Sequence, residues 1–401
     1  MSKNKQLYLF AVFMVLYEFT TYAANDMIMP GMIKVITEFN VGAYYIALSV
    51  ICYILGNAIL TPLVGPLSER YGNRRIILIG ATFFVISTAF MVVTRNISQF
   101  LIIRVFEGIG LSVIAAGYSL IHKNFNDVSA VKLTAFMGNV AILAPLIGPM
   151  IGATIISYFD WRAIFYITVI LALIALIGLF KYIPKTSTSI KPNSMSFRTS
   201  FIEYSRVFKN KNFVVGVIIM ALSGISFVEW IGFSPAVILY KLHRSYMAYT
   251  IYQLIALGGV STSSIIMQFI SGRIEFAKLL RVGLYCTILA IIINLAVFFV
   301  SNQLDFLALG FFVFGFGGGL INGIIMRIMV SDKNALSNYT MASVIFVQMM
   351  LMMVVLNAMN HIISVCNYSL NILSLLNIIC WILSGGFLIK FIYMNKDRNW
   401  Q

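Results

Sequence analysis

Glu18 and Asp26 lie inside an apolar stretch, LYLFAVFMVLYEFTTYAANDMIMPGM, where a carboxylate out of water is costly and usually functional. Eight residues of helix separate them by about 12 Å along the axis and about 80° around it. Tyr22 and Asn25 fall in the same sector, so Glu18, Tyr22, Asn25 and Asp26 form one polar stripe that must face protein or water. A carboxyl group in low dielectric favours its neutral, proton-carrying form, so such a stripe suits proton exchange or cation binding. A second reading stays open for both acids, a carboxyl that only hydrogen-bonds a neighbouring helix. It has more room at Asp26, nearer the end of the stretch.

Arg104 opens another apolar run, at a depth similar to Asp26. A guanidinium stays charged, so an Arg104–Asp26 pair would break when the acid is protonated, one way to couple a proton to a helix movement. Glu107, one turn on, is the competing partner, and snorkelling to the surface is the structural alternative. Glu229 is a third acid within an apolar run: a second protonatable group, a seat for a cationic substrate, or a local hydrogen bond around Ser226 or Trp230. Arg327, near the inner end of its run, reads as snorkelling. His122, His243 and His361 lie at the ends of runs, and Cys52, Cys286, Cys366 and Cys380 show no CxxC pairing. No metal site, cofactor or disulfide framework is expected, and no nucleophile constellation points to an enzyme.

These residues are held by a chain of 401 residues that is 60% hydrophobic and only 10% charged, against roughly 25% charged in an ordinary soluble domain. Apolar runs of about 20 residues recur, each long enough to cross a hydrocarbon core. The expected fold is all-α and membrane-embedded, with twelve transmembrane helices over 7–29, 44–67, 76–94, 99–121, 133–157, 163–183, 213–240, 248–271, 280–300, 304–329, 338–363 and 369–393. The first run follows MSKNKQ with no small-residue cleavage site and reads as a retained span. Ser, Thr, Lys and Arg crowd the stretch 184–212, which reads as a linker between two six-helix halves, 1–183 and 213–401.

Connections rich in Lys and Arg stay cytoplasmic. With both termini inside, only Lys34, Arg95, Arg162, Lys241 and Arg244 of the 28 Lys and Arg fall outside, and Arg104 falls within a span. The net charge of +15 is therefore topological and needs no nucleic-acid partner. Two joined halves are the plan of parallel-repeat transporters, which bind substrate between the halves near the midplane. Glu229, in the first span of the second half, is then the counterpart of the first-span acids.

Between spans two and three the chain reads GPLSERYGNRR, where Gly65 and Gly72 allow close approach and Glu69, Arg70 and Arg74 are placed to bridge helix ends as a clasp. Span five carries APLIGPMIGA, with Gly148, Pro149 and Gly152 where helices cross closely or bend. GFGGGLING in span ten has no P-loop lysine and reads as close helix packing. GPLSERYGNRR, LIIRVFEGIG in span four and the spacing of Ala144, Gly148, Pro149, Gly152 and Ala153 together resemble the motifs of the major facilitator superfamily, drug/proton antiporter subclass. Glu69 stands for the usual Asp, Asn73 for the usual Arg and Glu107 where Gln is common.

More narrowly, LYEFTTYAANDMIMPGM and TAFMGNVAILAPLIGP resemble the MdfA-type bacterial multidrug/proton antiporters, closely in the first half and more loosely beyond the linker. The resemblance implies that Glu18 and Asp26 exchange protons and drug, that Arg104 is the coupling arginine, and that Tyr22, Met137, Asn139 and Ala141 line the drug pocket. Ser234, Pro235 and Gln253 fit the same pattern, whereas Glu229 departs from it. The implied protein is a monomeric, multi-pass transporter of the bacterial inner membrane. It takes protons and small lipophilic drugs, cationic or neutral, and exports them by alternating access. The rival readings are a proton-coupled transporter of one metabolite, siderophore or amino acid and, from another class, a non-transporting receptor or membrane enzyme.

Overall fold

The computed structural model describes residues 3–125, 127–184, 205–270, 273–299, 303–330 and 337–396. The chain folds as helices because a backbone in hydrocarbon must satisfy its own N–H and C=O groups. Two compact units divide it, Met1–Phe201 and Ile202–Gln401. Most of the expected linker lies outside the described residues.

In the first unit the helices are α1 (Lys3–Asp26), α2 (Met32–Glu38), α3 (Tyr44–Tyr71), α4 (Asn73–Met91), α5 (Ile97–Ser112), α6 (Ile114–Asn124), α7 (Asp127–Tyr158) and α8 (Arg162–Tyr182). Pro30 sits in a single 3-10 turn, Met29–Gly31, joining α1 to α2, because its missing N–H cannot continue the α1 ladder. The fourth span is broken at Val113 into α5 and α6.

In the second unit a short helix over 205–209 (α9) precedes α10 (Lys211–Ser234), α11 (Tyr246–Ile270), α12 (Phe276–Ala296), α13 (Gln303–Val330), α14 (Ser337–Val365) and α15 (Leu370–Met394). Pro235 ends α10, and a π-helix over Pro235–Lys241 carries the span onward. Among the described residues eleven stretches are long and apolar enough to cross a membrane, and α7 adds an apolar stretch, Leu143–Tyr158. Together they account for the twelve expected spans.

The exposed faces are oily, as a lipid-facing surface requires. Ile79, Ile86, Phe90 and Val93 on and just after α4, and Ile170, Leu173, Ile174 and Ile177 on α8, are exposed. Lipid tails give helices little hydrophobic reason to associate, so small residues and buried polar contacts carry the packing. At the crossing of α3 and α5 a Cβ on Gly56 would lie 1.8 Å from the Val105 carbonyl oxygen, and one on Gly108 would lie 1.9 Å from that of Tyr53. The two backbones touch because neither glycine has a side chain.

One end of the first unit is tied by a polar clasp. Arg162 donates to both carboxylate oxygens of Glu38, at 2.7 and 2.9 Å, and to the Val92 and Thr94 carbonyls. Trp161 Nε1 donates to Glu38 at 2.6 Å, and Lys34 Nζ donates to the Ile156 carbonyl at 2.7 Å. The ends of α2, α4, α7 and α8 are thereby fixed.

Candidate proton and substrate site

Glu18 and Asp26 are both buried on α1, at 1% and 2% exposure. Glu18 Oε1 accepts from the Tyr118 hydroxyl of α6 at 3.1 Å. Its Oε2 is buried with no hydrogen-bond partner among the described residues. Tyr22 stands within electrostatic reach of both acids. The stripe expected on α1 therefore faces protein, with Tyr118 added from across the unit.

Arg104 is fully buried on α5. Its ion-pair partner is Glu107 on the same helix, at 2.8 Å. Nε donates to Ser49 Oγ at 3.2 Å, Nη1 reaches the Ala24 carbonyl at 3.5 Å, and Nη2 donates to Asn25 Oδ1. The guanidinium also lies over the Tyr53 ring, 4.7 Å from its centre, and Tyr53 in turn donates to the Thr21 carbonyl at 2.7 Å. Asn25 Nδ2 donates to Asp26 Oδ1 at 3.0 Å. Among the described residues Arg104 and Asp26 form no direct ion pair. The amide of Asn25 relays between them, because its oxygen is held by the cation and its N–H₂ is therefore turned to the acid.

The small residues of span five explain how Asp26 is seated. A Cβ on Gly148 would lie 3.0 Å from Asp26 Cβ, and one on Gly152 would lie 1.9 Å from the Met27 carbonyl oxygen. Pro149 lies inside α7 between them. Any side chain at Gly152 would drive α7 off the end of α1.

The other expected residues are distributed more widely. Met137 is buried in the apolar core cluster of the first unit, which also holds Phe10, Met14 and Tyr17, and Ala141 is partly exposed. The Asn139 side chain lies outside the described residues. In the 65–75 stretch Glu69 and Arg70 are exposed, and Glu69 makes no ion pair among the described residues. Arg74 Nε is buried without a hydrogen-bond partner among the described residues. The expected acid–arginine clasp is replaced by a bond from Asn73 Nδ2 to Ser119 Oγ, 3.1 Å. Gly72 turns the chain at φ 85°, a conformation suited to glycine, and its N–H bonds the Ser68 carbonyl at 2.9 Å. A Cβ on Gly65 would meet nothing within 4 Å among the described residues.

In the second unit Ser234 donates to Gln253 Oε1 at 3.4 Å, both residues being buried. Glu229 is fully buried, and its partner is Asn377 of α15 rather than a group on its own helix. Two functional candidates escaped the sequence reading. Nothing in spacing ties Tyr118 to Glu18, 100 residues away. Asn377 is a polar residue in the middle of an apolar span, and that criterion, applied to the last span as to the first, would have raised it.

Among the described residues no group of His, Cys, Asp and Glu could hold a metal ion, and the four cysteines are free. What the first unit does hold is two buried acids on one helix face, one beside a tyrosine and one tied through an amide to a buried cation. That arrangement can take up and release protons and pass the change to helix contacts.

Comparisons with known proteins bear on the whole chain. The multidrug transporter MdfA of Escherichia coli O6:H1 is 30% identical over 382 residues, covering 94% of this chain and 93% of that protein. The chloramphenicol resistance protein CraA of Acinetobacter baumannii is 32% identical over 343 residues, covering 85% of this chain and 83% of that one. In fold, a crystal structure of a D-xylose–proton symporter matches with TM-score 0.74 at 17% identity, covering 96% of this chain and 98% of that one. The family model of the Major Facilitator Superfamily matches residues 14–356. The chain therefore belongs to the Major Facilitator Superfamily, and it is a multi-pass membrane transporter rather than an enzyme.

Proposed function

We propose that this protein exports lipophilic drugs, cationic or neutral, in exchange for protons, by alternating access. The observation that carries the reading is the pair of buried first-span acids, Glu18 and Asp26, each with a polar partner and neither in a direct ion pair among the described residues. An acid left in that state accepts either a proton or a cationic group. The relatives add the substrate class, since one is named for multidrug transport and another for chloramphenicol resistance.

In this reading Glu18, with Tyr22 and Tyr118 beside it, takes the proton or the substrate's polar group, and Met137, Asn139 and Ala141 line the drug's path. Within the second unit, taken by itself, Ser234 and Gln253 are the polar groups offered to substrate. Protonation of Asp26 weakens its hold on Asn25, and Asn25 then moves with Arg104, so that the proton is felt where α1 meets α5. The Gly65–Arg74 stretch and the Gly148–Gly152 stretch act on conformation, the second by letting α7 and α1 slide in backbone contact. The protein works as a monomer in the bacterial inner membrane with both termini in the cytoplasm, and 184–212 links its halves. The test is proton release from purified protein on adding a lipophilic cation, compared with Glu18→Gln and Asp26→Asn. Loss of release in either variant is the expected result, and unchanged release in both refutes the assignment.

A further inference from the structure

The second unit contains a buried acid with no countercharge among the described residues. Glu229 on α10 is fully buried and accepts from Asn377 Nδ2 of α15 at 2.9 Å. The other Asn377 N–H bonds the Leu373 carbonyl, also at 2.9 Å. Both amide hydrogens are thus committed. Two oxygens of the bonded pair, Glu229 Oε2 and Asn377 Oδ1, are buried with no partner among the described residues.

The surroundings are aromatic and, among the described residues, supply no charge. Trp381 of α15 stacks on Phe314 at 4.7 Å and meets Phe311 edge-on at 5.6 Å, while Phe311 lies 4.8 Å from Trp230. Ser226, one turn before Glu229, accepts from Trp381 Nε1 at 2.8 Å. The titratable groups on the packed helices are few. Cys380 of α15 is an electrostatic neighbour of Glu229. On α13 Asp305 is exposed and bonded by Tyr252, and Arg327 lies over Phe276. His361 of α14, Lys390 of α15 and Lys211 of α10 are exposed. None of these pairs with Glu229 among the described residues.

An ionised carboxylate buried without a cation is strongly disfavoured, and two orphaned acceptors on one bonded pair share a single need. We infer that Glu229 and Asn377 form a proton-binding site in the second unit. The proton sits on Glu229 Oε2 and is donated to Asn377 Oδ1, completing a two-bond acid–amide ring of which the N–H···O half is already present. One hydrogen satisfies both orphans and removes the charge. A sodium ion would need several more oxygens than the two left free, so the site takes a proton. This site is independent of what the protein carries and goes beyond the first-span acids, which belong to the other unit.

The test is infrared spectroscopy of the purified full chain at neutral pH without substrate, as difference spectra between wild type and Glu229→Gln. The expected difference is loss of one carbonyl-stretch band of a hydrogen-bonded carboxylic acid. Asn377→Leu is the second variant, for use also where Glu229→Gln fails to fold. It should keep that band and move it to higher frequency, because the amide no longer bonds the carbonyl. Loss of the carboxylate stretching pair instead, or a carboxylate band that responds to added sodium, overturns the proposal. So does an unchanged band position in Asn377→Leu.

Discussion

Gly152→Ala is the substitution whose effect follows most directly from the packing. The added Cβ would lie 1.9 Å from the Met27 carbonyl oxygen and 2.7 Å from its carbon. An ordinary carbon–oxygen contact is about 3.3 Å, so α7 and α1 must separate there by about 1.4 Å. The obstruction is backbone, and no rotamer change relieves it. Overpacking of this kind costs about 1–3 kcal/mol, offset by about 0.5–1 kcal/mol from replacing a helical glycine with alanine. The net is a destabilisation of up to about 2.5 kcal/mol. The displacement falls one residue from Asp26, whose Cβ the neighbouring Gly148 already approaches, so efflux should fall with stability. Gly138→Ala, on the same helix, is the control: its Cβ would meet nothing within 4 Å, and the variant should gain about 0.5–1 kcal/mol. Denaturant unfolding in one detergent, with drug efflux from cells, reads both. If Gly152→Ala matches Gly138→Ala in stability and transports normally, the backbone contact between α1 and α7 is not what seats Asp26.

Removing the countercharge with Glu107→Gln leaves the fully buried Arg104 without its ion pair, and unfolding should show a loss of about 3–5 kcal/mol. Arg104→Lys should fail to restore efflux, since an ammonium cannot reach Ser49, Asn25 and Glu107 together as the fork does. Glu38→Gln should cost far less, about 1 kcal/mol, because the Glu38 and Arg162 side chains are 39% and 26% exposed and water screens the pair. That loss should shrink when unfolding is repeated at high salt.

The helices themselves were readable from the chain. Each apolar run must satisfy its own backbone in lipid, so its length and composition fix a span, although the change to a π-helix at Pro235, inside the expected span 213–240, was not anticipated. The stripe Glu18, Tyr22, Asn25, Asp26 was legible for the same reason: helical spacing alone puts the four in one sector. Partners across helices were not. Arg104 met Glu107 and Asn25 instead of Asp26 because a fully buried guanidinium collects every acceptor within reach, and its own helix offers a carboxylate one turn away. The 65–75 stretch shows the same limit, since Asn73 found Ser119 while Glu69 and Arg70 stayed in the open.

Sequence by itself determined that this chain crosses a membrane about twelve times and carries acids there, because the energetics of a backbone or a charge in hydrocarbon is local to the residue. Only the tertiary structure decided that Tyr118 serves Glu18, that Asn25 stands between Asp26 and Arg104, and that Asn377 meets Glu229. Hydrogen bonds of a few ångströms between residues many positions apart depend on which helices pack and at what rotation. Small residues such as Gly152 and Gly108 set that packing, and they carry no polar signature of the partners they bring together.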